Sequence, residues 1–220
     1  MLAEAPAPPK GAWFPVADES QVTRSLIDGI VQGEFEFNGE RYTLGRNPNW
    51  LENPSADIEW QILLHKFYYA TGLGMAWRET GDERYLRCWV DLTQGWMDSV
   101  PVDFLPADVA GRRVQNWLSA WHYFEDASQL PAGFRGRFLS SVELQVEWLA
   151  KHLTAARNHR TLELLALFMA GVALPQSPQA ARWLEFAREE IARNLASDFR
   201  SDGVHCEQST DYHHIVLRNA

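Results

Sequence analysis

The chain has 220 residues, 46% of them hydrophobic, enough to bury a sizeable core as one large domain or two small ones. Its 20 Lys and Arg against 29 Asp and Glu give a formal net charge of −9, which argues against non-specific nucleic-acid or anionic-membrane binding as its main task. No apolar run approaches the roughly 20 residues of a membrane span, and the two cysteines, Cys88 and Cys206, have neither metal-site nor disulfide-framework spacing.

Residues 1–16 are rich in Pro and Ala and read as irregular, with Trp13 and Phe14 as anchors onto the body. They lack a basic stretch leading into an apolar one, so no signal peptide is expected there. A short helix is expected over 18–31, with Leu26, Ile27, Ile30 and Val31 as its stripe and Gly33 as its stop. Residues 34–44 alternate polar and apolar around Asn38-Gly39, which predicts a β-hairpin. A loop with Asn47-Pro48 and Asn53-Pro54 follows.

From residue 57 the apolar positions recur at helical spacing. Helices are expected over 57–80, 83–99, 112–127, 134–155, 161–173 and 178–199, and the tail starts another. Short Gly/Pro joints between paired helices predict an all-α fold, an incomplete (α/α) toroid of helical hairpins with a small N-terminal β-hairpin. No fixed-period repeat argues for a solenoid. The division expected is an N-terminal arm, short helix and hairpin over 1–56, then the helical toroid over 57–220. Of the ten Trp, most, such as Trp89, Trp96 and Trp148, fall on apolar stripes and read as core, which leaves the others as platforms for sugar rings.

Two stretches concentrate polar and titratable side chains in this apolar pattern: Asn158-His159, and the tail from Asp202-Gly203 to His214. Asn158 reads either as an N-cap before the 161–173 helix or, with His159, as an amide and imidazole suited to a carboxylate. The partial positive charge of a helix start would add to the second role. In the tail, Gln208 and Tyr212 are expected four residues apart on one helical face, with Glu207 and Asp211 beside them. Tyr212 is either a packed ring with a capped hydroxyl or a phenolic general acid or base, supported by positive charge from His205, His213, Arg218 or Arg200. Arg112 and Arg113 read as cations at a helix start, where the macrodipole disfavours them. They are therefore expected either on a solvated, ion-paired face or in substrate binding. No HExxH pattern, phosphate loop or GxSxG elbow occurs, and neither a metal nor another cofactor is expected.

Together these residues resemble the N-terminal helical domain of heparinase II/III-like polysaccharide lyases, and are similar to alginate lyases of the same architecture. The matching features are the Asn49-Trp50 and Asn53-Pro54 region, residues 80–85 with Trp89 and Trp96, Arg113 with Trp117, Asn158-His159, and residues 202–209 leading to Tyr212 and His213. They run in the family's order over about residues 20–220. The resemblance implies β-elimination on an acidic, uronate-containing polysaccharide of glycosaminoglycan or alginate type. Asn158 and His159 would neutralise the uronate carboxylate and Tyr212 would move protons, with Arg113, Gln208 and His213 as supporting substrate contacts. It implies a periplasmic or secreted protein, and a longer chain with a C-terminal β-sandwich bearing a further catalytic His. No strand-rich stretch of that kind occurs in these residues, and none of the seven His takes that role. A non-catalytic carbohydrate-binding helical module, or an inactive fragment of a lyase, is the alternative reading. A hydrolase would want two carboxylates across a cleft, whereas Glu207 and Asp211 lie on one local element.

Overall fold

The computed structural model describes residues 22–219, so the arm with Trp13 and Phe14 and the first residues of the 18–31 helix lie outside it. Helix α1 (Arg24–Gln32) ends on Gly33, left-handed at φ 85°. The hairpin is β1 (Glu34–Phe37) against β2 (Glu40–Thr43), antiparallel with Phe37 opposite Glu40. Its turn takes positive φ at Asn38 (52°) and Gly39 (79°), the geometry that dipeptide favours. Alternation turns Phe35 and Phe37 inward, onto Tyr69 and Trp60 at 5.7 and 5.1 Å. The hairpin and the helices after residue 57 therefore share one core.

The helices are α2 (Ile58–Lys66), α3 (Tyr68–Thr80), α4 (Glu83–Ser99), α5 (Ala107–Phe124), α6 (Phe134–Leu149), α7 (Arg157–Ala173), α8 (Ala180–Asp198) and α9 (Thr210–Asn219). Asp57 and Asp82 cap α2 and α4, accepting from Glu59 N and Arg84 N, each at 2.9 Å. Their packing makes two rows. Helices α3, α5, α7 and α9 contact one another in order, while α4, α6 and α8 each back the preceding inner helix. Close approach of α5 to α7 uses Gly111, where a Cβ would sit 3.2 Å from the Glu163 Cα. Among the described residues no helix is long and apolar enough to cross a membrane.

The single helix expected over 57–80 is two. Phe67 breaks it with φ 57° and ψ 33°, a left-handed conformation without glycine. The Phe67 ring is fully buried, stacked on Trp50 at 5.3 Å and edge-on to Trp117 at 5.5 Å. A left-handed L-residue costs about 1–2 kcal/mol, against about 1.5–3 kcal/mol for burying a ring of this size. Packing decides the conformation, and no Gly or Pro betrays it in the sequence. Trp89 lies at the other end of this aromatic core, stacked on Phe124 at 4.7 Å and edge-on to Phe138 at 5.4 Å. Trp96 is buried as expected, but Trp148 is only half-buried.

His65 lies inside that core. Its Nε2 donates to the Trp50 carbonyl at 2.9 Å and its Nδ1 accepts from Trp96 Nε1 at 3.1 Å, which fixes a neutral tautomer. Burial, then the nearby Arg113 charge, pulls its pKa down to about 4.

Two stability predictions follow from this packing. Phe67→Gly relieves the left-handed strain but loses the ring, and is expected to destabilise by about 2–4 kcal/mol in urea unfolding. An unchanged or raised midpoint would show that strain, not packing, dominates there. Between pH 6.5 and about 4 the unfolded chain protonates His65 and the folded chain does not, so stability falls as pH falls through that window. The contribution is about 3 kcal/mol, and His65→Gln should flatten the pH profile by that amount while lowering stability at pH 7. A profile of equal slope in the variant would refute it.

Candidate active site

The inner-row helices α5, α7 and α9 carry the candidate residues apart from Gln208, which precedes α9. Helix α7 begins at Arg157, earlier than expected, with a positive φ of 80°. Asp198, 1% exposed at the end of α8, holds that residue: its carboxylate accepts from Arg157 N at 2.9 Å and from Nη1 at 3.1 Å. Just beyond Asp198 the chain reverses through Asp202-Gly203. Phe199 bridges His205, Arg200 N donates to Val204 O at 3.0 Å, and Cys206 N donates to Asp198 O at 2.8 Å. The reversal buries His205 completely, its Nε2 3.9 Å from Asp198 Oδ2 and its Nδ1 4.0 Å from Glu207 Oε2. The Arg157 guanidinium also donates to the Cys206 sulfur.

Glu207 then crosses back to α7, its carboxylate oxygens 3.0 and 2.7 Å from Asn158 Nδ2. Gln208 turns the chain at φ 55°, and Ser209 opens α9 by accepting from Tyr212 N through Oγ at 3.3 Å. The structure thus brings the Asn158 and Tyr212 segments together, with α9 packed on α7. Tyr212 is 45% exposed, and His213 is half-buried with its ring edge-on to Phe199 at 5.5 Å.

Several expectations change here. Asn158 is no N-cap: Ala156, in extended conformation, precedes α7, and Asn158 lies inside the first turn, 8% exposed. His159 is exposed, its Nδ1 3.6 Å from Asp108 Oδ2. Gln208 precedes α9, so it does not share a helical face with Tyr212. Arg112 and Arg113 do not start a helix, because α5 begins at Ala107 with Asp108 in its first turn. Arg113 is 2% exposed, packed over the Trp96 ring at 4.0 Å and donating through Nε to Gln145 Oε1 at 2.7 Å. Burial lowers its pKa to about 9, so it stays charged at neutral pH. It braces the core between α4, α5 and α6, which corrects the substrate-contact role expected of it. Arg112 is the more open of the two, its guanidinium over the Tyr68 ring at 5.7 Å and Nη1 donating to Gln115 Oε1 at 2.8 Å.

Sequence reasoning missed Asp198 and the Asp108–His159 contact altogether, since each joins elements distant in the chain. It also missed Glu163, fully buried on α7, which accepts from Thr154 N and Oγ1 at 2.7 and 2.6 Å and whose carboxyl pKa is raised by burial. Lys66, at the end of α2, lies within electrostatic reach of Asp108 and Arg112, and burial lowers its pKa. A cavity of about 250 Å³ between α1, the hairpin and α3 is lined by none of the candidate residues. Among the described residues no group of three or more His, Cys, Asp or Glu is arranged to hold a metal ion. In chemical terms the site offers an anchored amide at a helix start, an exposed imidazole beside it, and an exposed phenol on the neighbouring helix. That set suits binding a carboxylate and transferring a proton.

The family model described as Heparinase II/III N-terminus matches residues 15–220. A heparin-sulfate lyase from Pedobacter heparinus is 26% identical over 204 residues, covering 88% of this chain and 31% of that protein. A heparin-sulfate lyase from Bacteroides thetaiotaomicron is 23% identical over 174 residues, covering 75% of this chain and 25% of that protein. The crystal structure of heparan sulfate lyase HepC from Pedobacter heparinus superposes with a TM-score of 0.79 at 25% identity, over 99% of this chain and 35% of that one. A crystal structure of heparinase III gives a TM-score of 0.80 at 19% identity, over 93% of this chain and 34% of that one, and shows the same fold. The chain thus spans about a third of the length of these relatives or less.

Asp198→Ala would leave the Arg157 backbone N–H without its acceptor and its guanidinium with the Cys206 sulfur alone. The expected cost is about 1–3 kcal/mol, mainly from the backbone N–H left without an acceptor, together with faster hydrogen exchange in residues 199–209. Exchange in that segment as slow as in the wild type would show that other contacts hold the reversal.

Proposed function

The chain belongs to the heparinase II/III N-terminal family, and from that premise we propose that it is the helical part of a polysaccharide lyase that cleaves heparan sulfate-type glycosaminoglycans by β-elimination. The names of the similar relatives favour a glycosaminoglycan over alginate. The single observation that carries the reading is the convergence of the Asn158 amide and the Tyr212 segment through Glu207. Elimination breaks the C5–H bond and the bond from C4 to the glycosidic oxygen, and leaves a C4–C5 double bond in the uronate. Asn158, with the α7 N-terminus and His159, binds the uronate carboxylate and disperses the charge that builds up as the C5 proton leaves. Tyr212 carries protons, to the departing oxygen and, where the sugar's stereochemistry allows, from C5. Gln208 lines the opening and His213 backs the start of α9. The two helix rows form an arc of a toroid whose inner face carries the site, and the protein acts in the periplasm or outside the cell.

The test is formation of unsaturated uronate product from heparan sulfate, followed by ultraviolet absorbance, beside calorimetric binding. Tyr212→Phe is expected to lose turnover by about 100-fold or more with affinity kept, and Asn158→Ala by a comparable factor. Wild-type elimination rates in Tyr212→Phe would remove Tyr212 from the chemistry. Binding without any elimination by the full-length wild-type protein would favour a carbohydrate-binding module.

A further inference from the structure

Glu207 has no step in the elimination, yet both its carboxylate oxygens are committed to Asn158 Nδ2, at 3.0 and 2.7 Å. A carboxamide has a donating end with two N–H groups and an accepting end with two lone pairs, exchanged by a half-turn of the side chain. An ionised carboxylate only accepts, so Glu207 attracts the nitrogen end and repels the oxygen end. A ligand carboxylate has the same requirement. It can be met by the N–H that Glu207 leaves free, but not by Oδ1.

Glu207 is itself anchored. Its backbone N–H donates to Nδ1 of the fully buried His205 at 3.4 Å, and the reversal after Asp198 fixes the backbone on either side of that residue. Three residues later the chain enters α9, which carries Tyr212. The carboxylate therefore sets both the orientation of the Asn158 amide and its distance from the Tyr212 segment.

We propose that Glu207 is a positioning residue that acts through Asn158, holding the amide nitrogen toward the cleft so that an acidic sugar meets a donor. The inference rests on the reading of Asn158 as the carboxylate binder. A staple that merely fastens the tail to α7 would show the same contact, and the variants separate the two roles. Glu207→Gln keeps an acceptor for Nδ2, whereas Glu207→Ala keeps none.

The experiment titrates a heparan sulfate tetrasaccharide into the full-length wild-type protein and its variants by calorimetry, alongside NMR of the side-chain amides. The Asn158 amide resonances are assigned by their loss in Asn158→Ala. Glu207→Ala is expected to raise Kd about tenfold and Glu207→Gln less than about threefold, and in the Asn158→Ala background Glu207→Ala should add nothing. The Asn158 amide protons should exchange slowly in the wild type and in Glu207→Gln, and rapidly in Glu207→Ala. Wild-type affinity in Glu207→Ala, or a loss that persists undiminished without the Asn158 amide, overturns the inference while leaving Asn158 as binder. Absence of tetrasaccharide binding by the full-length wild-type protein overturns the reading of Asn158 and this inference with it.

Discussion

The buried carboxylate of Asp198 is the interaction on which the site's geometry depends. It stands at the end of α8, accepts from the backbone and guanidinium of Arg157 at the start of α7, and its own carbonyl receives Cys206 N. The start of α7, 41 residues away in sequence, and the reversal just beyond α8 meet at one residue that is almost wholly out of water. A carboxylate in such a place is tolerable only when paired and hydrogen-bonded, because its desolvation is costly. Arg157 repays that cost through a left-handed backbone conformation, which turns its N–H toward the carboxylate. The strain at Arg157 and the burial of Asp198 sustain each other, and Asn158, the next residue, inherits its position from both.

The wider fold follows from where the inner helices lie. Helix α5 is buried along nearly its whole length, so its polar residues find partners inside the protein: Gln115 donates to Leu162 O at 2.7 Å, Asn116 to Lys66 O at 2.8 Å, and Arg113 to Gln145. Arg113 has no carboxylate partner among the described residues, and the face of Trp96 supplies part of what a counter-ion would. The same crowding that makes Arg113 a poor substrate contact makes α5 a rigid spine for α7. Rigid support of this kind is what a charge-stabilising amide requires, since a misplacement of about 1 Å can cost a hundredfold in rate.

The features legible in the sequence were those fixed by local rules. The Asn38-Gly39 hairpin, the Gly33 stop and the helical character of most of the chain from residue 57 follow from residues within one or two turns. The break at Phe67 was not legible, because it is decided by rings of Trp50 and Trp117 that only the tertiary fold brings near. Arg113 was misjudged for a related reason. Helix α5 starts at Ala107, ahead of the 112 that local spacing suggests, so Arg113 lies inside the helix and the core instead of at a helix end. In the candidate site, Asn158 and Tyr212 could be named from their setting and from the family resemblance. Their link could not, because Glu207 contacts Asn158 across a reversal whose geometry rests on Asp198 and His205.

That reversal also shows how a site divided between two helices stays ordered. Helix α9 has α7 as its main packing partner, so its own burial is modest and Tyr212 remains open. Ordering residues 199–209 costs backbone entropy on the order of 1–2 kcal/mol per residue, which the exposed side chains there cannot offset by burial. Offsetting terms come from a dense set of short-range hydrogen bonds and from two side chains that point inward, His205 and Glu207. A tail held mainly by polar contacts is positioned by directional bonds, and loses its position when one acceptor is removed. Apolar packing alone would have left the Asn158 amide free to turn, because hydrophobic contact does not distinguish nitrogen from oxygen. The polar anchoring of this segment is therefore what allows a buried amide and an open phenol to keep a defined relation across two helices.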